Sequence, residues 1–421
     1  MSISSDFKAL TRTQRATFTA CFLGWTLDAF DFFLLTLCLK AVAADFHVAI
    51  PKVAEALFWT LAMRPVGAFL FGAMAERFGR RPTLMVNIIS FSVFELASAF
   101  APSLGLFLVS RALFGIAMGG EWGVGAALAF ETLPAKGRGV FSGLLQEGYV
   151  CGNLLAAALY AVLFPHLHGT GIFTPWRVLF MIGALPAVLA FYLRFQVEES
   201  PTWLAARAAK AAAPKTGTNW SLLASYLPSF LFLVLLMTAF ASFSHGTQDL
   251  YPTFLERESA LPPVYVGMIV VIANLGALFG GICCGALSER FGRKRTIIVA
   301  ALLALPMIPL WTYSHTVLWL AVGGFLMQFM VQGAWGIIPA HLNELSPGPV
   351  RAIFPGFAYQ LGNLLASRNG VFQTVLAQRF AGGLRTVMAA TVLVVAIVVA
   401  AITSFGKEAK GAQLNSSDEP A

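Results

Sequence analysis

The stretch SFSHGTQDLYPTFL, residues 242–255, follows the apolar run YLPSFLFLVLLMTAFA without a break and carries the polar side chains of Ser244, His245, Thr247, Gln248 and Asp249. His245 and Asp249 are four residues apart, as are Ser244 and Gln248, so on a helix they share one broad face that can look into a cavity instead of lipid. Pro252 has no N–H, which leaves the Gln248 carbonyl without its helical donor. A polar, locally broken helix facing a cavity is what a binding site at mid-membrane depth requires. The His245/Asp249 pair can relay or hold a proton, or the carboxylate can simply orient the ring; the sequence leaves both open.

A second group with chemistry to perform lies far upstream. Arg64 sits in LFWTLAMRPVGAFLFG among apolar neighbours, with Pro65 directly behind it, too deep to reach either surface. A guanidinium keeps its charge and offers a forked set of donors that fits a carboxylate. Its anion is either a substrate carboxylate or a buried partner such as Asp28 or Asp31. These two acids, three residues apart on one face of the first apolar segment, disfavour double ionisation in a low dielectric. At least one of them is therefore a candidate proton carrier, the competing reading being that one permanently neutralises Arg64 or Arg111. Arg111 and Glu121 flank ALFGIAMGG, and we group them as an ionic network of the fourth apolar segment, structural or direct in role. Glycines at 115, 119 and 123 form a helix-packing stripe; GGEWGVG follows no strand and is not a phosphate loop.

The elements that must position these groups are membrane helices. Of 421 residues 58% are hydrophobic and only 11% charged, well below the roughly 25% charged of a soluble domain. About twelve apolar stretches, each long enough for the ~20 residues that span a bilayer, follow one another between residues 18 and 405. The net charge of +8 comes from basic residues concentrated in alternate loops, a pattern of membrane orientation and not of nucleic-acid binding. It places both termini in the cytoplasm. No cleavable signal peptide is expected, because the first apolar segment is too long and too acidic for one. Cys21, Cys38, Cys151, Cys283 and Cys284 fall inside expected spans without metal-ligand spacing and read as small packing residues. Asn219 and Asn415 fit the glycosylation pattern but belong to expected cytoplasmic segments, where it has no meaning. No nucleophile elbow, metal motif or phosphate loop argues for an enzyme.

GAMAERFGRRPTL at Gly72 returns as GALSERFGRKRTI at Gly285. At the same offset Glu131 falls on Glu344, Arg138 on Arg351, and GEWG on GAWG. The chain is thus expected to be two six-span halves from one ancestral pattern: a terminus over 1–16, a bundle over 17–197, a linker over 198–222, a second bundle over 223–405 and a tail over 406–421. The shared residues build the frame. Substrate chemistry belongs where the halves differ, as at Arg64, Arg111 and Glu121, which fall on Ala277, Gly324 and Ala334.

The duplicated pattern G-x-x-x-(D/E)-R-x-G-R-(R/K) resembles the loop motif of the major facilitator superfamily, with Glu76 and Glu289 where Asp is commoner. The resemblance covers the whole chain and implies an all-α membrane protein of twelve transmembrane helices in two six-helix bundles. Gly72 and Gly285 allow close helix approach, while the acids and arginines can form a cytoplasmic latch that exists in one state and breaks in the other. We assign to this gate Gly72, Glu76, Arg77, Arg80, Glu131 and Arg138, with Gly285, Glu289, Arg290, Arg293, Glu344 and Arg351 in the second half. The plainer alternative is that these arginines only set topology.

A tighter resemblance lies in the opening stretch. Ser244, His245, Thr247, Gln248, Asp249 and Thr253 match the pattern N-x-x-(S/T)-H-x-(S/T)-Q-D-x-x-x-T of the lactate/pyruvate:proton symporters, a branch of the sialate:proton symporter group; Ala241 replaces the leading Asn. LDAFDFF, GGEWG and YQLGN, with Asn363, are similar to the same group. The resemblance implies proton-coupled symport of a small monocarboxylate by alternating access. Arg64, His245, Gln248 and Asn363 would bind substrate, and Asp28, Asp31, His245 and Asp249 would handle the proton. No cofactor beyond the coupling proton is implied. Expected partners are an organic-acid anion, a proton and the lipid of a bacterial inner membrane, without nucleic acid, and the chain is expected to act as a monomer. A symporter for sialate, aromatic or other organic acids is the alternative, followed by a sensor that kept the carrier fold.

Overall fold

The computed structural model describes residues 7, 9–185, 188, 194–212, 225–380, 382–412 and 414. Lys215, Asn219 and Asn415 lie outside these. Among the described residues the secondary structure is helical throughout. The first half contains α1 (Arg12–Asp45), α2 (Ile50–Phe78), α3 (Arg80–Ala99), α4 (Leu104–Thr132), α5 (Arg138–Gln146), α6 (Gly148–Leu163) and α7 (Pro175–Ala184). The connecting segment carries α8 (Pro201–Ala212). The second half contains α9 (Leu227–Gln248), α10 (Tyr251–Arg257), α11 (Pro263–Phe291), α12 (Arg293–Leu303), α13 (Ile308–Thr312), α14 (Val317–Leu345), α15 (Phe354–Ala366), α16 (Asn369–Arg379) and α17 (Gly383–Phe405).

Local chemistry sets the boundaries. Thr11 opens α1 with a capping box, its hydroxyl accepting from Gln14 N–H while the Gln14 side chain accepts from Thr11 N–H. Ser103 and Thr316 cap α4 and α14 through the hydroxyl alone, accepting from the N–H groups of Leu106 and Trp319. The glycine inside each copy of the repeated motif, Gly79 and Gly292, has φ of 107° and 97°, so the chain reverses there between α2 and α3 and between α11 and α12. α9 stops at Gln248 and α10 resumes at Tyr251 with Pro252 in its first turn, the break the missing proline N–H demands.

Nine helical segments among the described residues are long and apolar enough to cross a membrane. Many of their apolar side chains point outward, Phe69, Leu70, Val271, Phe279, Ile397 and Val398 among them. An apolar exterior over a core that holds buried Asp28, Asp31, Arg64, Glu95 and Arg111 inverts the arrangement of a water-soluble domain. The halves meet through α5, which packs on α11 and α14, and through its counterpart α15, which packs on α2 and α4.

Candidate functional site

Arg64 projects from the middle of α2, where Pro65 sits without ending the helix. Its Nη2 lies 3.9 Å from Asp28 Oδ2 on α1, and its guanidinium stands 5.9 Å from the Phe32 ring. The contact is loose. Nε and Nη2 of Arg64 and both carboxylate oxygens of Asp28 are buried and make no hydrogen bond among the described residues. Arg64 is also within electrostatic range of the hydroxyls of Tyr149 and Tyr359, one from each half. Buried donors left free beside a half-engaged acid form a site that an anion can complete.

Facing it, the polar run of α9 is organised by α14 and α15. His245 Nδ1 is 3.2 Å from both oxygens of Asp249, one turn away. Asn363 of α15 lies within hydrogen-bonding reach of His245 and of the Tyr359 hydroxyl, and its amide donates to Tyr359 O at 2.9 Å. Gln248 donates to Gln328 of α14 at 2.9 Å, Gln328 donates to Thr247, and Gln332 donates to Ser244 at 3.0 Å. The His245 and Asp249 side chains are 37% and 42% exposed, while Asp249 is near enough to act on Tyr149 of the opposite half. The structure therefore brings Arg64, Asp28, His245, Gln248, Asp249 and Asn363 to one space between the halves.

Asp31 turns to a different set of neighbours. A side chain at Gly183 of α7 would meet both Asp31 and Glu95 of α3, and Glu95 pairs with Arg111 at 2.8 Å. The Arg111 guanidinium lies 4.0 Å from the Phe114 ring centroid. This cluster holds two acids against one cation in an apolar setting, so it is neutral only with one proton aboard. Glu121 pairs instead with Arg194, beyond α7, in direct hydrogen-bonded contact. The grouping of Arg111 with Glu121 is corrected accordingly: ten residues apart they stand about 15 Å apart along one helix, and each finds a partner on a different helix.

At the basic end of the molecule the repeated motif closes both seams. Arg80 bridges Glu76 at 3.2 Å and Glu131 at 3.0 Å, and Glu76 Oε1 accepts from Ala352 N–H of the other half at 2.8 Å. Arg293 bridges Glu289 at 2.7 Å and Glu344 at 3.0 Å, and Glu289 accepts from the N–H groups of Gly137 and Gly139 at the start of α5. Each motif acid thus joins an arginine of its own half to backbone donors of the opposite half, the second one at a helix N-terminus where a negative charge is favoured. Gly72 lies against Ala352 and Ile353, and Gly285 against Gly139, with no room for a side chain. Arg138 donates to Ala412 O of the tail, and Arg351 to Ser346 O. Arg77 and Arg290 need correction. One position along the helix from the motif acid, they are exposed, lie over Phe78 and Phe291, and enter no ion pair among the described residues. Above this seam Trp122 stacks on Tyr359 across the halves at 4.0 Å, and within the first half Trp25 stacks on Tyr149 at 5.7 Å.

Sequence reasoning did not single out Gln328, Gln332, Tyr149, Tyr359 or Glu95. Glu95, an acid inside the apolar run FSVFELASAF, met the same criterion that singled out Arg64. The glutamines and tyrosines carry no comparable signal, because polar uncharged residues are common in membrane helices.

An all-helical protein with an apolar exterior and ionisable groups buried in its core has the make-up of a membrane protein. The match of residues 21–367 to the Major Facilitator Superfamily shows that the chain belongs to that family. It is 30% identical over 382 residues to a "Carboxylic acid transporter protein homolog" of Saccharomyces cerevisiae, covering 85% of this chain and 61% of that protein's length. It is 26% identical over 386 residues to "Sialic acid transporter NanX" of Escherichia coli, covering 89% of each. Its fold matches the solved proton:xylose symporter XylE with a TM-score of 0.76 at 17% identity, covering 97% of this chain and 98% of that one. The protein is a multi-pass membrane transporter of that superfamily and not an enzyme, and carriers of this kind need no cofactor.

Proposed function

We propose that this carrier moves a small monocarboxylate such as lactate or pyruvate together with a proton, by alternating access of two six-helix bundles. One observation carries the reading: the buried Arg64 guanidinium has free donors and only a 3.9 Å contact to an Asp28 carboxylate that accepts no hydrogen bond. A substrate carboxylate that takes the Arg64 fork displaces Asp28, which then lies buried without a cation. A proton on Asp28 restores neutrality. Anion and proton thus enter as a neutral sum, and the apolar site can close around them. His245, Gln248 and Asn363 hold the second polar atom of the substrate, with Asp249 fixing the imidazole. The Asp31/Glu95/Arg111 cluster is a second place for a proton within the same half.

The basic loops put the gated end in the cytoplasm, with both termini, and the membrane is read as a bacterial inner membrane. With that end shut, the site loads from outside; the halves then rock and the motif latches part. Proteoliposome uptake with a panel of mono-, di- and sugar acids, with and without an imposed pH gradient, tests the proposal. Accumulation of monocarboxylates driven by outside acidification is the expected result. Preference for a sugar acid, the substrate named for the Escherichia coli relative, would move the assignment to sialate. Uptake indifferent to the gradient would remove proton coupling.

A further inference from the structure

Glu147 lies at the break between α5 and α6, buried to 4% exposure, and its Oε2 has no hydrogen-bond partner among the described residues. Its Oε1 rests against Gly281 of α11, in the other half, so closely that a side chain at 281 would collide with it. This carboxyl plays no part in the site or gate described above.

Among the described residues no charged group faces it from the elements packed around the break. α1 presents Phe22, Trp25 and Thr26 at Gly148, while its acids Asp28 and Asp31 turn to Arg64 and to the Arg111 cluster. α11 presents Gly281; Cys283 and Cys284 follow on that helix, and its Glu289 is held by Arg293. α14 brings the Gln332 backbone beside Gly281, while its Glu344 is held by Arg293 and its His341 stands in the field of the same arginine. On its own helix, Cys151 one turn along is the titratable group that senses Glu147. An ionised carboxylate so enclosed has neither a cation nor a donor to stabilise it.

The seam itself is built to part. Gly139 lies on Gly285 and Gly143 on Gly281, backbone against backbone, so at these two points α5 and α11 touch without interlocking side chains. They belong to different halves, and opening the basic end separates them and wets Glu147. The repeat supplies a built-in comparison. The offset that carries Glu76 onto Glu289 carries Gly143 onto Gly356 and Glu147 onto Gln360. Gln360 is 1% exposed on α15, where Gly356 lies on Gly123 of α4. Two positions equivalent by the repeat thus hold side chains of nearly the same shape, and only one of them can titrate.

We propose that Glu147 is a proton-binding latch: the α5–α11 seam closes on the neutral carboxyl and parts when it ionises, exchanging its proton with the side on which the seam opens. The proposal rests on the alternating-access reading above. Because this proton is taken from and returned to the same side, it sets how pH on that side governs reopening of the substrate site and adds nothing to transport stoichiometry.

Double electron–electron resonance between spin labels at Lys136 and Arg295, in otherwise cysteine-free protein in nanodiscs without substrate, tests it. The ratio of long to short distances should rise with pH, up to about tenfold per pH unit through the transition. E147Q should keep the short distance at every pH, whereas E147D should keep a pH response, and Gln360→Glu should add a second titrating step. A wild-type distance indifferent to pH, or an E147Q profile equal to wild type, would overturn the latch. Should E147Q not fold, Q360E decides: a steeper pH response supports the proposal and an unchanged one overturns it. No substrate is present, so failure of the uptake panel and failure of the latch are read separately.

Discussion

Arg64 and Asp28 stand 3.9 Å apart through a single nitrogen and a single oxygen, too far for a hydrogen bond and near enough that each tempers the other's charge. A tight bidentate pair would be finished. This one leaves room for a third party.

Replacement of the fork tests that room. In correctly inserted Arg64→Lys the charge remains but two parallel donors are lost, about 1.5–3 kcal/mol, so affinity in substrate counterflow should fall roughly 10- to 100-fold. Unchanged affinity for the transported acid would sink the role given to Arg64.

Asp28→Asn supplies permanently the neutrality that a proton supplies transiently. Counterflow of labelled acid should persist in this variant, while outside acidification should no longer drive accumulation. Net concentrative uptake beside exchange, measured in the same vesicles, separates the two. Loss of both would make Asp28 a structural residue only.

Arg111 offers a test of architecture. Its buried pair with Glu95 is 2.8 Å long, and removing the cation alone leaves two acids without a partner, a loss of about 3–5 kcal/mol. Arg111→Met should lower the midpoint of thermal unfolding sharply, and Arg111→Met with Glu95→Leu should recover most of it. A double variant no more stable than the single would mean that the pair is not what holds these helices.

The gate acids should weigh on conformation and not on affinity. Glu289→Gln weakens its bonds to the start of α5 and to Arg293, about 1.5 kcal/mol or more, and should raise the open population at the basic end roughly tenfold. Glu76→Gln should act alike through Ala352, and interspin distances report both.

What the sequence disclosed follows from what a linear chain can carry. The duplicated motif is contiguous, so both copies and their pairing of acid with arginine were legible, and Arg64 stood out because its own neighbours are apolar. The break after Gln248 was legible from Pro252, since a missing donor is a property of one residue. The pairings of Glu95 with Arg111, Glu121 with Arg194 and Gln248 with Gln328 were not, because each joins helices whose contact arises only on packing. Arg77 and Arg290 were drawn into the gate by proximity in the motif, and a helix turns adjacent positions through about 100°.

The stack of Trp122 on Tyr359 joins α4 to α15 at 4.0 Å, one ring from each copy of the repeat. An indole pressed on a phenol in a dry cleft emits differently from one bathed in solvent. If the halves rock as proposed, the molecule carries its own optical gauge, and near-ultraviolet spectra of unlabelled protein should follow the cycle as that stack comes apart and reforms.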